Sequence, residues 1–304
     1  MSARAWVAFA ALGLIWGIPY FFIKVALEEL SPFVIAWARV SLAAAIMLPI
    51  AWRRGALRAA GGHLIAILVF AVVEFVVPFS AISVGERWID SSTAGILIAS
   101  VPLTVTLISR FFGLHEPLEF WRLLGLVVGL LGVVALLGLG TVTWPLGWAG
   151  VGCMLLSTVG YAVGPLIIQK YLKDLDSLGP IALSLFASSL LLLAPALATL
   201  PAKSPSTLAL VSVVILGVLC TAVAMLFMFY LVSHAGPARA TVITYINPIV
   251  ATLLGVVLLH EKLGLGGVMA LVLILFGSWL ATRGAASKAG AGKLPRAAIV
   301  GDNG

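Results

Sequence analysis

The stretch HLIAILVFAVVEFVVPFSAISV, residues 63–84, holds one formally charged side chain, Glu74, among apolar and small residues. A bilayer core about 30 Å thick is crossed by roughly 20 residues of α-helix. This stretch has that length and contains no second charge. It therefore predicts a transmembrane helix with a single acidic group near its middle.

The whole chain has the composition of a protein surrounded by lipid. Its 304 residues are 62% hydrophobic and 10% charged, whereas soluble domains carry roughly 25% charged residues because their surfaces face water. The net charge of +7 does not indicate a nucleic-acid partner, since the basic residues are spread over short loops between apolar runs. The partners expected from composition are membrane lipid and a small molecule.

Similar apolar runs recur along the chain and predict an all-α integral membrane protein with about ten transmembrane helices. Their continuous apolar character excludes the short alternating strands of a β-barrel. Turn residues, prolines and charges separate the runs, as expected for connections between helices. The predicted spans lie near residues 6–26, 32–51, 63–84, 91–112, 119–139, 146–168, 179–200, 208–231, 238–259 and 264–282.

The lysines and arginines predict the orientation in the membrane, because cytoplasmic loops are enriched in them. With both termini cytoplasmic, thirteen of the 18 fall on the inner side, four fall on the outer side, and Arg39 lies within a span. We therefore expect a multi-pass protein of the cell (inner) membrane with both termini in the cytoplasm. Residues 284–304 are rich in Ala, Gly, Lys and Ser and are expected to form a disordered cytoplasmic tail.

An internal repeat divides the apolar part of the chain into two halves, residues 1–142 and 143–283. Each half would contain five spans, and an odd number places the second half upside down relative to the first. Inverted repeats of this kind are a recurring architecture of transporters. The repeat rests on matches at an offset near 146: Pro49 with Pro195, Ala94 with Ala240, Pro102 with Pro248, Thr106 with Thr252, and, one residue out of step, His115-Glu116 with His260-Glu261.

Residues 4–283 resemble an EamA-type member of the drug/metabolite transporter superfamily. The resemblance implies two five-helix units that export amino acids and other small metabolites, with a central cavity between helices 1–4 and 6–9. The connection Gly85–Asp90 departs from the family pattern because it is unusually charged. The residues that carry the resemblance are Leu14-Ile15-Trp16-Gly17, Arg39, Pro102 followed by Glu116, and Asn247-Pro248 followed by Glu261.

Glu74 is the strongest candidate for a functional group because charged side chains inside a bilayer are costly and usually face a cavity or a partner. It is a candidate for both substrate binding and proton coupling. Arg39 would lie at a similar depth and could bind a substrate carboxylate through its planar guanidinium group. The alternative for both residues is a structural ion pair between them, and the sequence does not choose between these interpretations.

Aromatic residues add further candidates for the lining of a cavity. Trp16, Tyr20 and Lys24 are spaced four residues apart and share one face of the first helix. Tyr161 matches Trp16 at an offset of 145 in the sixth span. Aromatic rings in a bundle interior can stack on or hydrogen-bond a substrate, so Trp16, Tyr20 and Tyr161 are substrate-binding candidates, whereas Lys24 is expected to extend to the outer lipid headgroups.

The fourth and ninth spans each contain a proline, Pro102 and Pro248, which removes a backbone hydrogen bond and is expected to kink the helix. Polar side chains near these prolines are candidates for contact with substrate. They are Ser100 in the fourth span and Tyr245 and Asn247 in the ninth.

Two acidic residues in connections, Glu116 and Glu261, are expected to cap the starts of the fifth and tenth helices, where negative charge complements the helix dipole. The sequence contains no metal-ligand constellation, no phosphate-binding loop and no nucleophile motif. No metal, no cofactor and no catalytic residue are therefore expected, and the protein is not expected to be an enzyme.

These observations favour a secondary transporter that exports amino acids or similar small metabolites by alternating access, with proton coupling through Glu74 left open. The alternative is a multidrug exporter of lipophilic cations, for which Glu74 and the aromatic residues would form the site. A carrier of phosphorylated sugars or nucleotide sugars is disfavoured, because a doubly charged anion would need several cations, whereas only Arg39 is expected mid-membrane and Glu74 would partly cancel its charge. A monomer is sufficient for each of these functions.

Overall fold

The protein is described by a computed structural model that covers residues 3–109, 111–112, 120–138, 145–235 and 241–289. Regular structure in these ranges is entirely helical. Eight helices, α1–α8, are long and apolar enough to cross a membrane, and two shorter apolar helices, α9 and α10, follow them. In chain order α1–α10 are Trp6–Ala26, Pro32–Arg53, Ala56–Gly85, Ser91–Ile108, Phe120–Gly138, Leu146–Leu172, Leu178–Leu197, Thr207–Leu231, Ile243–Leu258 and Leu265–Ala281.

The eight long helices lie where the hydropathy pattern predicts spans, and the ends differ by a few residues. The largest difference is at α3, which begins at Ala56 rather than near residue 63. A short helix, Ala56–Ala60, and a 3₁₀ turn, Gly61–His63, precede its main part. Gly55 starts this extension with φ 71°, a left-handed conformation that glycine adopts without strain.

The last helix extends into the segment predicted to be a disordered tail, which begins at residue 284. The last helix continues from Leu265 to Ala289. The residues of this extension include three alanines, which have the highest helix propensity of any residue. The rest of the expected tail, residues 290–304, lies outside the described residues.

Three helices are interrupted next to a proline. In α1 the break falls at Ile18, before Pro19. In α4 it separates Ser91–Ile98 from Val101–Ile108, where Pro102 is the second residue. The third break precedes Pro248, where a 3₁₀ turn, Thr241–Tyr245, gives way to the helix that starts at Asn247. Proline lacks an N–H and its ring clashes with the carbonyl one turn earlier, which accounts for a break at each of these positions.

Wider π-helical turns occur in α3 at Val72–Val76, in α6 at Ile168–Leu172 and in α8 at Ile215–Val223. The turn in α3 contains Glu74 and comes directly before Pro78, which has no N–H for the carbonyl one turn earlier. Such π-helical turns are uncommon and occur often at functional sites. The fold thus distorts the helix at the position of its buried acid.

The helices pack in a small number of neighbouring pairs. Helix α2 lies along α7, α4 lies along α9, and α5 lies along α10. Helix α1 packs on α8 and α9, α6 packs on α3 and α4, and α2 and α7 also contact α8 and α3, respectively. Hydrogen bonds from serine hydroxyls stabilise several of these contacts. Ser184 and Ser188 of α7 donate to the carbonyls of Ile67 (3.1 Å) and Ala71 (3.3 Å) in α3, respectively.

Glycines allow α5 and α10 to approach until their backbones touch. A Cβ atom on Gly277 of α10 would lie 2.5 Å from the backbone nitrogen of Gly129 in α5. A Cβ atom on Gly125 of α5 would lie 2.5 Å from the carbonyl oxygen of Gly277. In a bilayer, where apolar burial gives little net attraction between helices, such close packing is a main source of association.

We therefore expect Gly277→Ala to force α5 and α10 apart and to lower the free energy of unfolding by about 1–3 kcal/mol, the usual range for overpacking. Thermal unfolding in detergent, followed by circular dichroism, measures this loss. Gly152→Ala in α6 is the matched control, because a Cβ atom there meets nothing within 4 Å. Equal melting temperatures for the two variants would contradict the close contact.

Candidate transport site

Arg39 of α2 is held by two neighbouring helices. Its guanidinium carbon lies 3.8 Å from the centroid of the Phe79 ring of α3, a cation–π contact. Its Nε donates to the Thr221 hydroxyl of α8 over 2.8 Å. The Thr221 hydroxyl in turn donates to the carbonyl of Leu216, within the π-helical turn of α8. The arginine, which is 6% exposed, is thus fixed by a ring and a hydroxyl and not by a carboxylate.

The ion pair between Arg39 and Glu74 that was one interpretation of the sequence is absent. Both residues are described, and no nitrogen of Arg39 comes within ion-pair distance of the Glu74 carboxylate, whose Oε2 is buried without a hydrogen-bond partner. Arg39 contacts Phe79 and Thr221, whereas the Glu74 carboxylate lies against Gly164 of α6. Depth alone was therefore not sufficient to predict contact.

Glu74 points toward α6, where two glycines make room for it. A methyl group on Gly164 would collide with Oε2 of Glu74, and one on Gly160 would collide with the carbonyl of Val73. Gly160 and Gly164 form a small-xxx-small motif, which allows close approach of membrane helices. The missing side chain at Gly164 thus creates the space that the Glu74 carboxylate occupies.

Tyr20 and Tyr161 complete a group of sequence-predicted residues that the fold brings together. Arg39 is within electrostatic range of both phenol groups, and Glu74 is within range of Tyr161. The Tyr20 ring lies against α4, 3.7 Å from a Cβ atom placed on Gly95. Among the described residues neither tyrosine hydroxyl has a hydrogen-bond partner. Arg39 of α2 therefore lies near both phenol groups, and Tyr161 of α6 lies near both Arg39 and Glu74 of α3.

Trp16 and Ser100 take different positions from this group. Trp16 is half-buried and packs on an apolar cluster that includes Leu12 of α1 and Cys220 of α8. Ser100 is buried at the break of α4, and its hydroxyl donates to the carbonyl of Leu97 over 2.6 Å. The serine hydroxyl is thus engaged with the backbone of its own helix.

Tyr245 and Asn247 form helix contacts where the sequence suggested contact with substrate. The Tyr245 hydroxyl donates to the carbonyl of Ser278 in α10 over 3.2 Å. With its amide nitrogen as donor, Asn247 binds the carbonyls of Ile243 and of Gly13 in α1, each over 3.0 Å. Both side chains of the interrupted ninth helix thus bind backbone carbonyls, which need partners inside a bilayer.

The sequence suggested that Lys24 extends toward the lipid headgroups, but its ammonium group binds within the protein instead. Its ammonium group donates to the carbonyls of Glu86 (2.6 Å) and Ile89 (2.8 Å) in the connection between α3 and α4. These carbonyls follow the end of α3, where backbone acceptors have no partner within the helix. Lys24 thereby ties α1 to the connection 86–90.

Glu261 caps a helix, but not the tenth one. Its Oε1 accepts from the backbone N–H of Ser91 (2.7 Å) and its Oε2 from that of Ser92 (2.9 Å), at the start of α4. His260, with φ 55°, turns the chain back so that this contact forms. The predicted type of contact, a carboxylate at a helix N-terminus, is present. The helix that Glu261 caps is α4 and not the tenth helix. Glu116, the matching residue, lies outside the described residues.

Searching the described ranges for a metal site yields no group of three or more His, Cys, Asp or Glu side chains that could bind an ion. Cys153 and Cys220 are free thiols. The chemistry available at the site is therefore that of hydrogen bonds, charge and aromatic surfaces.

A family model decides the identity of the chain. The EamA-like transporter family matches residues 4–138 and again residues 148–283. The chain belongs to the EamA-like transporter family. It is a multi-pass membrane transporter, as the resemblance of its motifs predicted.

Several relatives of this EamA-like protein align over nearly its whole length. The uncharacterized inner membrane transporter YedA of Escherichia coli K12 is 27% identical over 279 residues, which cover 91% of this chain and 90% of YedA. The uncharacterized transporter YoaV of Bacillus subtilis is 22% identical, covering 88% and 93%, and an uncharacterized transporter of Archaeoglobus fulgidus is 27% identical, covering 92% and 99%. One solved crystal structure, 20% identical, has the same fold with a TM-score of 0.67 over 95% of this chain and 99% of that one.

Sequence reasoning missed four residues of the site in this EamA-like protein: Phe79, Glu86, Gly164 and Thr221. Two of them had a detectable signal. Gly160 and Gly164 form a small-xxx-small pattern beside the predicted Tyr161, and Glu86 lies in the connection whose charge departs from the family pattern. Phe79 and Thr221 had none, since phenylalanine and threonine are common in any membrane helix.

Replacing Glu261 with alanine is expected to leave two backbone donors at the start of α4 without partners. The free energy of unfolding should fall by about 1–3 kcal/mol, the cost of leaving buried polar groups unsatisfied. Chemical unfolding in mixed micelles measures the change. Glu28→Ala is the control, since Glu28 is an exposed acid of another connection, and an equal loss in both variants would argue against the cap.

Proposed function

We propose that this protein is a secondary transporter that exports amino acids or related small metabolites by alternating access, with Glu74 as its proton-coupling group. The observation that carries the proposal is the Glu74 carboxylate, which lies at mid-helix and has no ionic partner among the described residues, although Arg39 and Glu74 are both within electrostatic range of Tyr161. A static ion pair would be consistent with a purely structural role. An acid held in a glycine-lined space instead is available to a proton or a ligand.

The proposal includes ten transmembrane helices arranged as two inverted repeats. Support comes from the helix contacts, since exchanging α1–α5 with α6–α10 converts each helix pair named above either into itself or into another named pair. Contact of α1 with α8 becomes contact of α6 with α3, and α2 with α8 becomes α7 with α3. The π-helical turn Val72–Val76, shifted by the repeat offset of 146, falls inside the turn Ile215–Val223.

The substrate class is inferred from the two opposite charges that lie on either side of Tyr161 in its electrostatic surroundings. Nε of Arg39 binds Thr221, which leaves its two terminal nitrogens for the bidentate binding of a carboxylate. Glu74 offers an acceptor for an ammonium group, and the hydroxyls of Tyr20 and Tyr161 offer further hydrogen bonds. A zwitterion such as an amino acid satisfies both charges at once.

A multidrug exporter of lipophilic cations is the second candidate, and one observation favours it. Because Arg39 does not neutralise Glu74, the acid and the rings of Tyr20 and Tyr161 present an anionic aromatic surface of the kind that binds organic cations. Phosphorylated sugars and nucleotide sugars are poorer candidates, because a doubly charged anion needs several cations and the described spans offer Arg39 alone at this depth.

The distribution of basic residues supports an orientation with both termini in the cytoplasm, and the relative YedA is named an inner membrane transporter. We therefore place the protein in the cell's inner membrane. The group formed by Tyr20, Arg39, Glu74 and Tyr161 comes from one chain, so a monomer suffices. The role is transport without chemical change of the substrate, since nothing in this group resembles an activated nucleophile.

Cells that overexpress the protein should release one or two amino acids into the medium, and Glu74→Gln should abolish this release at equal expression. The amide keeps the shape of the side chain but neither ionises nor exchanges a proton. Amino-acid analysis of the medium, beside cells that carry an empty vector, measures the release. Efflux of ethidium without amino-acid release would support the cation exporter, and full release by the variant would remove Glu74 from the mechanism.

Gly164→Ala provides an independent test of the same site from the opposite helix. The added methyl group would displace the Glu74 carboxylate, so export should fall toward the level of Glu74→Gln although every polar group is retained. Gly152→Ala, on an exposed face of the same helix, is expected to export normally. Gly164→Ala changes the position of the Glu74 carboxylate, whereas Glu74→Gln removes the carboxylate. Normal export by Gly164→Ala would show that the position of the carboxylate is unimportant.

A further inference from the structure

A second buried acid, Glu86, lies at one end of the helix bundle. The connections 86–90 and 259–264 form this end. Glu86 is the first residue after α3 and is 0% exposed. Both of its carboxylate oxygens are buried and have no hydrogen-bond partner among the residues that the structure describes. Burying an ionised carboxylate without partners is costly enough that such groups usually bind a proton.

The neighbourhood of Glu86 contains charges from four elements. Lys24 of α1 binds the backbone carbonyl of Glu86 rather than its carboxylate. Tyr20 of α1, Arg39 of α2 and Glu261 of the connection 259–264 lie within electrostatic range. Asp90 and Arg87 belong to the same connection as Glu86 itself, and Glu261 is already engaged by the start of α4.

Burial raises the pKa of the Glu86 carboxyl well above its usual range, the Lys24 ammonium partly opposes this, and the Glu261 carboxylate adds to it. If the connections 86–90 and 259–264 separated, water would reach Glu86 and its pKa would return toward the ordinary value. Closing this end therefore takes up a proton, and opening it releases one. By linkage, the closed state is stabilised at low pH and loses stability as pH rises through the raised pKa.

We propose that Glu86 is the proton-loading carboxyl of the outer mouth, so that this side of the transporter closes only when the acid has bound a proton from outside. The inference rests on the proposed function as a proton-coupled exporter and adds a second acid to it. In the predicted orientation both connections face the outside. Glu86 loads the proton there, and Glu74 lies deeper, with Tyr20, Arg39 and Tyr161 between the two acids.

Closure can be measured without a substrate by the distance between the two connections. Spin labels at Arg87→Cys and Leu265→Cys, both exposed positions, report this distance by double electron–electron resonance in the full chain, with Cys153 and Cys220 replaced by alanine. As pH is raised, we expect the short-distance population to fall. In Glu86→Gln this population should stay high at every pH, because a neutral amide can remain buried.

Two further variants make the assignment specific. Glu28→Gln, an exposed carboxyl in the connection between α1 and α2, should leave the pH response unchanged. Burial and the nearby Glu261 also raise the pKa of Asp90, so Asp90→Asn is tested alongside. A response that survives in Glu86→Gln, or that disappears in Asp90→Asn alone, would overturn the proposal. Because the distance needs no transport, a pH response lost in Glu86→Gln would support it even if amino-acid export failed.

Discussion

The bilayer offers no water to backbone groups, so each carbonyl and N–H released by a break or a helix end must find a partner within the protein. The described contacts follow this constraint. At the break of α4 the carbonyl of Ala99 accepts from Ser278 of α10 over 3.1 Å. The first N–H groups of α4, at Ser91 and Ser92, donate to the Glu261 carboxylate. Side chains that look like candidates for substrate contact are often engaged in this way.

The same constraint separates the residues that remain available for function. Ser100, Tyr245, Asn247 and Lys24 each bind a backbone carbonyl and thereby stabilise an interrupted helix or a helix end. Among the described residues, the hydroxyls of Tyr20 and Tyr161 and both carboxylate oxygens of Glu86 make no such hydrogen bond. Polar groups that are buried and unengaged are expensive, and their presence is more informative about function than polarity by itself.

Much of the fold could be predicted from the sequence, because hydropathy and length determine where a chain crosses a bilayer. The positions of α1–α8 and the family followed from one-dimensional patterns. The partner of Glu261 could not, since it lies about 170 residues away and depends on which helix start faces the connection 259–264. The absent Arg39–Glu74 pair is similar: depth follows from sequence position, whereas the face of each helix that meets its neighbour depends on glycine contacts such as that at Gly164.

The distribution of acids between the two halves gives the proposed mechanism a direction. An exact repeat would present the same groups to both sides of the membrane, and its two open states would be equivalent. Here Glu74 and Glu86 belong to the first half, and their counterparts at an offset of 146 are Cys220 and Val232. Neither counterpart carries a carboxylate. The cost of burying an acid therefore arises on closing one end of the bundle and not the other, so a proton gradient acts unequally on the two states, as coupled transport requires.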